Sequence, residues 1–167
     1  MLRATQVLAA GHWPPSARRD AITLGFDDRF RRRIRLTGDG GLDFLLDLPD
    51  AVVLHHGDGL RLEDGGIVEV RAAEEALVEI TTADAGAFAR LAWHLGNRHL
   101  PAEIAGERIL IRDDHVIVAM LQGLGATVRH VTAPFNPEGG AYGQHNHDVG
   151  HPHAHGRGHH DDHDHEH

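Results

Sequence analysis

Apolar and polar residues alternate in two different ways along this chain, and the change comes near residue 73. Before it, apolar residues fall in short runs with a period close to two: 21–26, 33–37, 42–48, 51–56, 60–64 and 67–72. Such runs predict half-buried strands. Glycine-bearing stretches at 38–41, 57–59 and 64–66 separate them and read as turns. Residues 1–73 are therefore expected to form a small all-β domain of two sheets or a barrel-like sheet.

From residue 74 the pattern mixes strand and helix periods. Strands are predicted at 76–81, 102–105, 108–112 and 126–132, and helices at 84–95 and 114–124. The first helix has Asp84 as its N-cap and Phe88, Leu91, Ala92 and Leu95 on one stripe. Gly96 and Asn97 are expected to end it through positive φ, and Pro101 keeps it from resuming. The second helix carries Val116, Met120, Leu121 and Leu124 on one face. The order β-α-β-β-α-β over 74–133 is that of a ferredoxin-like unit. After residue 133 no apolar period survives, and 134–167 is expected to be a disordered tail. The fold class is α+β: a small β domain, a ferredoxin-like domain and the tail.

Composition narrows the function. The 25 acids outnumber the 16 bases, giving a formal charge of -9 with neutral histidines, which argues against nucleic acid as a partner. No cysteine is present, so disulfides and thiolate metal sites are excluded. No apolar run has membrane-spanning length, and no signal-peptide layout opens the chain, so a cytoplasmic protein without membrane attachment is expected. The segment Phe26-DDRFRRRIR reads as a charge-protected strand edge or as a surface for docking another protein.

The candidate chemistry lies in histidine. His94 falls on the last turn of the first helix and His99 just past it, where an imidazole can reach solvent or a second chain. Both also suit the negative end of a helix dipole. The decisive addition is the C-terminus, HNHDVGHPHAHGRGHHDDHDHEH, where ten of the 17 histidines fall in 23 residues. His145, His147, His151, His153, His155, His159, His160, His163, His165 and His167, with acids between them, make a tail suited to Ni²⁺, Zn²⁺ or Cu²⁺. His55, His56 and His12 are given no ligand role, and His130 in the last strand is given a structural one.

Three blocks, taken with the tail, resemble UreE, the nickel-carrying accessory protein of urease maturation. They are W-H-L-G-N-R-H-x-P-x-x-I (93–104), R-D-D-H-V (112–116) and F-x-P-E-G-G-A-Y-G (135–143). The resemblance implies a ferredoxin-like metal-binding domain, a β domain likened to peptide-binding modules, and a central site at a symmetric dimer interface. His99 matches the residue that each subunit gives to that site, and His94 matches a family position. Some UreE relatives carry two metal-binding histidines two residues apart in the second block. Here His115 matches one, and Asp113 stands at the other, a harder ligand for nickel.

The expected function is carriage, not catalysis: Ni²⁺ is collected by the tail, held by a His99 pair in a homodimer and passed on. The resemblance implies the urease accessory GTPase and the urease apoprotein complex as recipients. No phosphate loop is present for GTP hydrolysis by this chain itself. The alternatives are a divalent-metal store, in which only the tail matters, and a metal-dependent hydrolase using His94, His99 and Asp113 or His115. The hydrolase lacks an H-E-x-x-H spacing and three fixed ligands.

Overall fold

The computed structural model describes residues 1–139 as two sheets, each with its own core. The first has six strands: β1 (Leu2–Leu8), β2 (Arg18–Leu24), β3 (Phe30–Thr37), β4 (Asp43–Val53), β5 (Gly59–Leu62) and β6 (Ile67–Ala72). Their order is β2-β6-β5-β1-β4-β3, with β1–β4 and β2–β6 parallel and the other pairs antiparallel. Ala4, Ile22, Phe44, Leu46, Leu60 and Val68 are among the residues of its buried core. The period-two runs described these strands well, with two differences. β1 was not expected, because its register shifts between Ala4 and Gln6 and breaks the alternation. The runs 42–48 and 51–56 join into one strand, β4, that passes through Pro49 and ends at Val53. Proline is tolerated there because the β3–β4 ladder is interrupted between Asp47 and Val52, where β3 also shifts register.

The turn after β3 is tied back to β2. Asp20 accepts hydrogen bonds from the N–H groups of Ala21 (2.7 Å), Gly40 (2.8 Å) and Leu42 (3.0 Å). Burial pushes its carboxyl upward, but these donors outweigh burial and hold it below the ordinary aspartate value. A Cβ at Gly38 would collide with the Asp20 carboxylate, which its three backbone donors hold in place, so this approach favours glycine.

The second sheet follows directly, with β7 (Glu74–Thr81), β8 (Ala102–Ala105), β9 (Arg108–Arg112) and β10 (Thr127–Pro134). Helices α1 (Ala85–Asn97) and α2 (His115–Gly123) connect them. The strand order β10-β7-β9-β8, antiparallel throughout, is the ferredoxin-like arrangement that the element order predicted. Both helices start on aspartate: Asp84 accepts from Ala87 N–H at 2.7 Å, and Asp114 accepts from Val116 and Ile117 N–H at 2.9 and 3.2 Å.

Strand alternation divides this sheet's residues between two cores. Val78, Ile80, Ile109 and Ile111 meet Leu91 and Leu95 of α1 and Leu121 of α2. Leu77 and Leu110 point the other way and are covered by Phe135, with Phe26 and Val131 beside it. Phe26 precedes β3, so this second cluster joins the two sheets. Phe135 lies beyond the last predicted strand and is fully buried, a role that the sequence pattern gave no sign of.

Candidate metal centre

His99 owes its position to the way α1 ends. The helix continues through Gly96 and Asn97, which do not reverse the chain as expected. Arg98 takes the C-cap, and its N–H reaches the Leu95 and Gly96 carbonyls. His99 N–H bonds to Gly96 O at 3.2 Å, and His99 itself adopts φ +54°. It is the only non-glycine with positive φ among the described residues. That conformation is uncommon for a residue with a Cβ, though histidine enters it more readily than most. On either side, Leu95 is buried and Leu100 packs against the helix-side core. The imidazole is thus an exposed group on a short reversal anchored at both ends.

His94 is half-buried on α1, and its ring meets that of Trp93 edge-on at 5.1 Å between centroids. His115 is the first residue of α2 and is exposed beside its capping neighbour Asp114. Asp113 is exposed one residue earlier and faces His130 of β10, Oδ2 to Nε2 at 3.2 Å. His130 was expected to be structural, yet it is exposed and brought to a candidate ligand. Only the antiparallel pairing of β10 with β7, and of β7 with β9, sets these residues near each other, so local sequence carried no signal of it.

A shallow cleft lined by Leu100, Pro101, Asp113, Asp114 and Ile117 links the loop after His99 to the start of α2. Among the described residues, no three His, Asp or Glu side chains converge into a ready-made ligand set. The ten tail histidines from His145 to His167 lie outside the described residues. His55 and His56 have structural partners: His55 N–H bonds to Asp58 at 2.8 Å, and His56 Nδ1 accepts from Ala72 N–H at 3.1 Å.

The domain pair has counterparts. Residues 2–73 match the family model described as UreE urease accessory protein, N-terminal domain, and residues 75–167 match its C-terminal domain. The chain belongs to the UreE family. Proteins named urease accessory protein UreE match over most of their length. The one from Chelativorans is 56% identical over 148 residues, covering 89% of this chain and 91% of its own. That of Beijerinckia indica is 54% identical over 151 residues, 89% and 87% of the two chains. That of Rhodobacter capsulatus is 49% identical over 143 residues, 86% and 88%. The UreE C-terminal model runs through both helices, the His99 reversal and the tail. No helix among the described residues is long and apolar enough to cross a membrane.

Proposed function

We propose that this UreE-family protein is a nickel metallochaperone. It binds Ni²⁺ between the His99 imidazoles of two subunits and delivers it for assembly of the urease active site. The observation that carries this reading is His99 itself: exposed, beyond the helix, and held in a left-handed conformation by its neighbours. A lone surface imidazole binds a divalent ion weakly, whereas a two-fold axis beside His99 supplies the same ligand twice. The exposed Trp93 of α1 and Val116 of α2, 64% and 63% accessible, favour burial of this region against another chain.

The remaining ligands come from the tail, which gathers ions at several His/Asp sites and passes one to the interface. His115, Asp113 and His94 are secondary donors around it. A carrier must also release its ion, so a micromolar dissociation constant, about -8 kcal/mol, suits the task. Zn²⁺ and Cu²⁺ compete for the same imidazoles. The recipients are the urease accessory GTPase and the urease apoprotein complex, in the cytoplasm, and this chain performs no catalysis of its own. A divalent-metal store is the second reading, because ten of the 17 histidines lie in the tail.

Calorimetric Ni²⁺ titration with mass measurement tests the proposal on three proteins: the full chain, a chain stopped after Gly143, and the stopped chain with His99→Ala. The expected result is one ion per dimer for the stopped chain and none after His99→Ala. A stopped chain that binds no ion leaves only a tail-based store.

A further inference from the structure

β3 is an edge strand that pairs with β4 alone. Just beyond its last paired residues, Thr37 and Asp43, Gly38 N–H bonds to the Leu42 carbonyl at 2.9 Å. Hydrogen-bonded pairs alternate along an antiparallel ladder, so the next ones fall on Leu36 with Phe44 and on Ile34 with Leu46. The N–H and C=O groups of Arg33, Arg35 and Thr37 therefore face away from β4, and among the described residues nothing takes them up. The opposite edge of the sheet is treated differently. On β2 the Ala21 carbonyl accepts from Asp39 N–H at 2.7 Å, and Thr23 N–H donates to the Asp39 carboxylate at 3.2 Å. The turn after β3 thus covers part of β2, while the strand leading into that turn stays open.

The open backbone lies between two unlike faces. Arg33, Arg35 and Thr37 stand on the exposed face, whereas Ile34 and Leu36 pack against the core and are half-buried at its rim. Arg33 meets Asp47 through Nε alone, at 3.5 Å, and Arg35 meets Asp43 through one terminal nitrogen, at 3.4 Å. Asp47 also faces Arg3 at 3.7 Å, and Asp43 accepts from the Thr37 hydroxyl at 2.6 Å. Three guanidinium groups thus share two carboxylates, in a chain of formal charge -9. The Arg33 and Arg35 side chains are 63% and 65% exposed, so each keeps donors open to a further carboxylate.

Charges on an edge strand guard a sheet against sticking to its own kind. This guard is selective. A second copy of β3 laid antiparallel would set arginine opposite arginine, and like charges in that position repel. A strand with carboxylates there is attracted instead. We propose that β3 is a docking edge for an acidic strand of another protein, a segment in which carboxylates alternate with apolar residues. Its backbone pairs with the outward groups of Arg33, Arg35 and Thr37. Its carboxylates lie beside Arg33 and Arg35, and its apolar residues, on the other face, extend the core past Ile34 and Leu36. The inference is independent of the metal site.

The test adds a capped octapeptide alternating aspartate with valine to the metal-free full chain and follows backbone amide signals and their hydrogen exchange. The expected result is binding with a dissociation constant below about 1 mM. With about nine in ten sites filled, exchange at Arg33, Arg35 and Thr37 should slow about tenfold, while Ile34 and Leu36, already bonded to β4, should change little. A peptide of the same composition with its aspartates and valines in separate blocks should not slow exchange at the outward amides. Arg33→Glu with Arg35→Glu should abolish binding of the aspartate peptide and gain binding of a lysine–valine peptide, which the parent refuses. No response of β3 at several millimolar peptide overturns the docking. Signal shifts without slowed exchange at the outward amides, or equal slowing by the block peptide, overturn the added strand. Aspartate-peptide binding that survives the double variant, or a double variant that folds and gains nothing for the lysine peptide, overturns the pairing with Arg33 and Arg35.

Discussion

Arg29 and Phe135 clamp the two sheets together. The Arg29 side chain is 1% exposed, donates to the Phe135 carbonyl and reaches Asn136 Oδ1 at 3.2 Å. The Phe135 ring meets Phe26 edge-on at 5.5 Å, and Asn136 N–H bonds to Glu103 of β8 at 3.2 Å. Burial pulls the guanidinium below its ordinary value, opposed by the nearby Glu75 and Glu103 carboxylates. Arg29→Met is expected to cost about 3 kcal/mol, because it strands a buried carbonyl and leaves those acids without their cation. Arg29→Lys is expected to recover little, since a lysine cannot present two donors in a fixed plane. Urea unfolding midpoints of the full chain check both.

Glu79 of β7 carries an acid-stability prediction. Its carboxylate accepts from Arg108 at 2.7 Å and from Arg129 at 2.9 Å on the face of the second sheet away from the helices. The Arg108 hydrogen bond leads the effects that hold it below its ordinary value of 4.5, over the opposing cost of burial. A carboxyl depressed in the folded state stabilises fully above its unfolded value, and that contribution disappears as pH falls through the folded one. Glu79→Gln should therefore cost about 1 kcal/mol of stability at pH 7, read as a lower melting temperature. The difference from the parent should shrink as pH falls below 4.5, and a difference that grows toward acid would contradict this.

His99→Gly separates backbone from ligand. At φ +54° glycine has no Cβ penalty, so the variant should be as stable as the parent or up to about 1 kcal/mol more so. On the proposed function it also loses the interface ion from the chain stopped after Gly143. His99→Ala loses the ion and keeps the strain, so comparing the two melting curves and nickel isotherms shows which effect belongs to the imidazole.

Asp113→His tests the departure from the two-histidine pattern. It would set two imidazoles two residues apart with His115, at the exposed start of α2. The expected outcome is tighter Ni²⁺ binding by the stopped chain, about tenfold, from exchanging a hard ligand for an imidazole. Loss of the His130 contact, exposed on both sides, should cost less than 1 kcal/mol.

Much of this molecule was written locally. The order of strands and helices over the second sheet, the Asp84 N-cap, and most strands of the first sheet follow from periodicity and turn residues, because those signals act over a few neighbours. So does the nomination of His99, which lies in a block dense in histidine, arginine and a helix stop. The tertiary structure decided the rest. It continued α1 through Gly96 and moved the positive φ to His99, because Leu95 and Leu100 both had to reach the same core. It buried Phe135 over Leu77 and Leu110, and paired Asp113 with His130 through two strand registers. Each of these depends on partners far apart along the chain, and a hydrophobic pattern records that a residue will be buried, not what will bury it.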